Sequence, residues 1–115
     1  MGKPITWLGS SLEDIRGFPE EARRSAGYQL CRVQEGLEPN DWKAMPDVGA
    51  GVLEIRLHTG TEHRVFYVTR FAEGIYVLHC FEKRTQKTAK RHLEVARNRY
   101  RDLIQARRKG RHGKE

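Results

Sequence analysis

Gly51-Val52-Leu53-Glu54-Ile55-Arg56-Leu57-His58, Thr59-Gly60-Thr61-Glu62, His63-Arg64-Val65-Phe66-Tyr67-Val68-Thr69-Arg70-Phe71 and Ile75-Tyr76-Val77-Leu78-His79-Cys80-Phe81 are the stretch that decides the fold. Leu53, Ile55 and Leu57 alternate with Glu54, Arg56 and His58, the period-2 pattern of a half-buried strand. His63 to Phe71 mixes arginine with aromatic and β-branched residues, a second strand. Ile75 to Phe81 is almost wholly apolar, as a strand covered on both faces must be. Thr59-Gly60-Thr61 and Ala72-Glu73-Gly74 are turn material, and turns this short force antiparallel pairing.

Upstream, Pro4-Ile5-Thr6-Trp7-Leu8 reads as one more strand, ended by Gly9-Ser10-Ser11. Ser10 or Ser11 caps a short helix that Gly17-Phe18-Pro19 breaks. Pro19 with Glu20 and Glu21 opens a longer helix, whose stripe is Ala22, Ala26, Leu30, Val33 and Leu37. Gly36 and Pro39 stop it near residue 36, and Cys31 at the stripe's edge reads as a buried thiol. Residues 38–47 read as a structured loop that Trp42 pins to the core. Downstream, Thr88 to Ala106 is helical, with Ala89, Leu93, Ala96, Tyr100, Leu103 and Ile104 along one side. The order is β-α-α-β-β-β-α, an α+β domain with helices on an antiparallel sheet. Residues 1–106 form this single domain, and 107–115 read as a basic, disordered tail.

The chain has 115 residues, a net charge of +7 and two cysteines. That length holds one core and excludes a multidomain enzyme, and two cysteines make no disulfide framework. No apolar run reaches the roughly 18 residues of a membrane span, and Met1-Gly2-Lys3-Pro4 lacks a signal peptide's apolar core. Met1-Gly2 with Thr6 matches a myristoylation signal weakly. The expectation is a soluble cytoplasmic protein. Residues 82–115 carry 13 Lys+Arg against 4 Asp+Glu, whereas residues 1–81 carry 9 against 11. The basic excess is C-terminal and favours an anionic partner, nucleic acid first.

Sets that announce a reaction by spacing alone are missing. Gly49-Ala50-Gly51 lacks the lysine and serine of a phosphate loop. The histidines 58, 63, 79, 92 and 112 are scattered, and His79-Cys80 are strand neighbours that point apart, so no metal site is expected. The informative set is cationic. Arg56, Arg64 and the pair Lys83-Arg84 come from three successive strands, and adjacent strands lie about 4.8 Å apart. Arginine forks match phosphate oxygens in bidentate fashion. By simple alternation Arg64 shares its face with Phe66 and Val68, so its orientation depends on twist or a bulge.

Three blocks carry a resemblance: Gly49 to Arg56, His63-Arg64-Val65-Phe66-Tyr67, and Leu78-His79-Cys80-Phe81-Glu82-Lys83-Arg84-Thr85-Gln86-Lys87-Thr88. Together they resemble the RelE/ParE toxin superfamily, in its phage-derived, HigB-like branch. Ala89 departs from the proline usual there, and the basic tail has no counterpart. The resemblance implies a small antiparallel sheet flanked by helices. It also implies mRNA cleavage in the ribosomal A site, without cofactor or metal, and a helix-turn-helix antitoxin encoded next door. Carried over, Arg64, Lys83 and Arg84 are the catalytic candidates. Arg56, Lys87, Lys90 and Arg91 are the RNA-binding ones. His58, His79 and Tyr67 are candidates for acid–base work. Metal-free RNA cleavage uses the 2′-hydroxyl as nucleophile, so fixed cations that stabilise the phosphorane are the main requirement. Two rivals remain: a ParE-like gyrase poison of the same fold, and a double-stranded RNA-binding module suggested by Lys87-Thr88-Ala89-Lys90.

Overall fold

The computed structural model describes residues 2–112, with side chains through Gly110. The elements are β1 (Ile5–Trp7), α1 (Ser11–Arg16), α2 (Glu20–Gln34), β2 (Trp42–Ala44), β3 (Val52–His58), β4 (Glu62–Phe71), β5 (Gly74–Glu82) and α3 (Lys90–His112). They build one five-stranded sheet in the order β1-β5-β4-β3-β2. The three long strands form the expected antiparallel meander, and Gly60 makes the β3–β4 turn at φ +95°, where a side chain would be strained. β1 joins β5 in parallel, with Ile5 opposite Ile75.

The sheet is buried on both faces. On one, Ile55, Leu57, Val65, Tyr67, Ile75 and Val77 pack against Ile15, Phe18, Ala22, Ala26, Leu30 and Val33 of the α1–α2 layer. On the other, Val52, Phe66, Val68, Leu78 and Phe81 meet Ala96 and Leu103 of α3. Small alanines on α2 and α3 let the helix backbones approach the sheet closely. Gly49 serves the same end: a Cβ there would lie 2.5 Å from the Tyr100 ring.

Five expectations change. Residues 42–44 are not loop but an edge strand, Trp42 opposite Ile55 and Ala44 opposite Leu53. Trp42 does not plug the core; it is 41% exposed. Leu37 lies beyond the α2 stripe and is exposed too, and Cys31 is an exposed thiol rather than a buried one. Finally, α3 runs on to His112, so the first six residues of the expected tail are helical. Arg107 explains the extension. Its guanidinium forms a fork on Glu73, at 2.7 and 3.1 Å, and lies 3.7 Å over the Phe71 ring. Gly113 to Glu115 lie outside the described residues.

One irregularity matters for the site. Phe66 pairs with His79, but Tyr67 pairs with Val77, so Leu78 is the extra residue of a β-bulge. Plain alternation would place His79 with Val77, under α1 and α2. The bulge turns it to α3, where its Nε2 lies 2.9 Å from Nδ1 of His92.

Candidate functional site

Three strands deliver the cationic set to one end of the sheet. Arg56 lies directly opposite Arg64, and Arg64 directly opposite Phe81. The three therefore share the α3 face, and Arg64 stays on the side of Phe66 as alternation predicts. Past the end of β5, Lys83 continues the ladder by donating its backbone N–H to the Glu62 carbonyl at 2.7 Å. An open cleft of about 440 Å³ results, lined by Glu62, Arg64, Lys83, Arg84, Thr85 and Gln86. A narrower notch beside it is lined by Phe81, Glu82, Lys83, Arg84, Thr85, Ala89, Arg91 and His92. Arg56 stands next to Arg64, while Lys87 and Lys90 are exposed and line neither hollow.

Two opposed arginines would repel one another unless a carboxylate lay between them. Glu54 does: only 3% exposed, it accepts from Arg56 Nε at 3.2 Å and lies 3.9 Å from Arg64 Nε. Glu54 faces Phe66 across the ladder, which makes Arg64 its diagonal neighbour. Arg64 is 4% exposed and further held by Glu62, at 3.0 Å from Nη2, and by the His63 carbonyl, at 2.9 Å from Nη1. Among the described residues, its Nε is the one buried side-chain nitrogen or oxygen without a hydrogen-bond partner. A buried donor left in this state carries a desolvation cost of about 1–3 kcal/mol. Arg64 is thus a rigid, preorganised cation with unspent donor capacity, at the wall of a cleft that Lys83 and Arg84 make positive.

The acid–base candidates fare differently. Tyr67 sits on the opposite face, 1% exposed, and burial pushes its phenol up to about 12, so it does not serve this site. His58 is bound at both nitrogens, to Glu62 at 2.8 Å and Asp41 at 2.6 Å. Those two carboxylates raise its pKa above the usual imidazole value. His79 is 7% exposed, and burial, with His92 and Arg99 beside it, drives its pKa down to about 4. Both its nitrogens face protein groups, His92 and Arg99, so it is not open to solvent as a base. The sequence reading missed Glu54 and Glu62 as partners of Arg64, and His92 as a residue of the notch. The acids were visible only as outward-facing polar residues; their pairing needs the cross-strand register.

A protein-family model described as "Phage derived protein Gp49-like (DUF891)" matches residues 13–101. No curated protein matches the chain. The matched span starts within α1 and ends within α3, so it contains the whole β3–β5 meander and every residue lining the cleft. The chain belongs to the phage-derived Gp49-like family, a RelE-like toxin family.

Proposed function

We propose that this chain is the toxin of a type II toxin–antitoxin pair, of the HigB-like kind, and that it cleaves mRNA on the ribosome. One observation supports the reading above the others: buried Arg64, with Lys83 and Arg84 around one open cleft. Such a cleft suits a phosphate that becomes more negative in the transition state. The 2′-hydroxyl of the preceding nucleotide attacks phosphorus and gives its proton to solvent; the P–O5′ bond breaks, the 5′-oxygen takes a proton from solvent, and a 2′,3′-cyclic phosphate is left. Lys83 and Arg84 receive the phosphate, and Arg64 stabilises the extra charge once phosphate displaces Glu62 from Nη2. Arg56, Lys87, Lys90 and Arg91 guide the flanking backbone, an attraction that weakens with salt. A helix-turn-helix antitoxin from the adjacent gene covers this face in the resting cytoplasm.

The test is primer extension on mRNA in a ribosome-programmed reaction. Wild-type protein should yield discrete cuts, and Arg64→Ala should abolish them while the fold persists. Full cleavage by Arg64→Ala would sink the assignment. Intact mRNA together with inhibited DNA supercoiling would shift the reading to a gyrase poison.

A further inference from the structure

His92 opens the notch beside Lys83 and Arg84, and its surroundings fix which of its nitrogens carries the proton. Arginine can only donate hydrogen bonds. Arg99 Nη1, anchored on the Leu78 carbonyl at 2.9 Å, points at His79 Nδ1 from 3.5 Å. The lone pair of His79 therefore sits on Nδ1, and its proton on Nε2. That Nε2–H donates to His92 Nδ1 at 2.9 Å. His92 must then carry its own proton on Nε2, the one nitrogen this relay leaves without a partner. The ring is also held flat: it stacks on Phe81 with centroids 4.0 Å apart and planes 13° apart. Phe81 in turn is the direct cross-strand neighbour of Arg64.

We propose that His92 is a further phosphate-contacting residue of this site, its neutral Nε2–H donating to an RNA phosphate oxygen beside Lys83 and Arg84, and that His79 and Arg99 are the positioning residues that hold it in that tautomer. The proposal rests on the RNA-cleaving reading above and adds to it a neutral donor in a set otherwise made of fixed cations. Protonating His92 would set its Nδ1–H against the Nε2–H of His79, so the relay opposes the charged ring. The charges around the pair act mostly in the same direction. Arg91 and Arg99 of α3 disfavour the cation, as does burial, whereas Asp14 of α1 favours it, and Glu82 is the carboxylate in the notch itself.

The experiment is nitrogen-15 NMR of the full-length chain with labelled histidines, with and without a 2′-O-methyl oligoribonucleotide, which cannot be cleaved. Expected are an Nε2–H tautomer at both His79 and His92 and a shift of His92 Nε2 when the oligonucleotide binds. His92→Phe, which keeps the stack on Phe81, should weaken binding about tenfold. His92→Gln, which places an amide N–H near the same point, should restore most of it. His79→Phe should let His92 populate its Nδ1–H tautomer, visible in the nitrogen-15 spectrum, and lose part of the same factor at a pH where both rings are neutral. A proton on His92 Nδ1, an unmoved His92 signal, or wild-type affinity in His92→Phe each overturn the proposal. The two readings fail separately. Cleaved mRNA with an unmoved His92 refutes the contact alone, and a shifted His92 with uncut mRNA refutes the nuclease alone.

Discussion

Glu54→Gln removes one negative charge from between Arg56 and Arg64 and keeps the side chain's shape. At 3.9 Å and an effective dielectric constant near 20, the attraction lost to Arg64 is about 4 kcal/mol. Arg56 is a third exposed, so its 3.2 Å contact adds less. Against both stands the relief of no longer burying a carboxylate, itself a few kcal/mol. Arg64 keeps Glu62 and the His63 carbonyl. The net loss should be about 2–3 kcal/mol, or roughly 10 °C in melting temperature for a domain of this size. Thermal unfolding followed by circular dichroism measures it. The loss should persist in about 0.5 M salt, because a buried pair is weakly screened. It should also shrink in an Arg64→Met background, where little charge remains to be paired. A melting temperature within about 2 °C of wild type, or a loss that salt erases, would refute the view that Glu54 holds two arginines together.

Three further outcomes are expected. Glu62→Gln frees Arg64 Nη2 and removes a negative charge from the cleft, so affinity for a 2′-O-methyl oligoribonucleotide should rise several-fold at low salt, as filter binding would report. An NMR titration should find His58 above the ordinary imidazole value and His79 near 4. The signs differ: His58 adds stability that is present below its unfolded pKa and lost as pH rises through its raised one. His79 instead costs stability as pH falls from 6.5 towards 4, where the unfolded chain binds the proton first. Arg107→Ala removes the fork on Glu73 and the stack on Phe71, and should cost about 1–2 kcal/mol by denaturant unfolding. Arg107 holds the Glu73 carboxyl down at about 2, so that stabilisation is present at neutral pH and fades as pH falls from 4.5 towards 2.

The meander was readable because alternation and turn chemistry are local, and β3 to β5 obey both. β2 was not, since Trp42-Lys43-Ala44 has no period of its own and becomes a strand only because β3 offers an open edge. The end of α3 was misread for a related reason. Residues 107–112 hold no apolar stripe, and what orders them is a fork and a ring from the β4–β5 turn, far off in sequence. Within the site, the identity of the cations could be read from the sequence, but their partners could not. Glu54 reaches Arg64 only through a diagonal of the ladder, and His92 meets His79 only through the bulge at Leu78.

The anchoring of α3 has a consequence for how the molecule opens. The helix is tied near its start, where His92 meets His79, and near its end, where Arg107 meets Glu73. Those two ties bracket the first six residues of β5, Gly74 to His79, so the helix acts as a strap buckled at two points along one inner strand. Strand and strap should therefore protect their amides against hydrogen exchange as a single cooperative unit. A chain cut after Ala106 loses one buckle, and its β5 amides near Gly74 should exchange first, well away from the cleft. Arg107, at the start of the stretch whose composition predicts a basic, disordered tail, should thus govern how often the far end of the strand is bared to water.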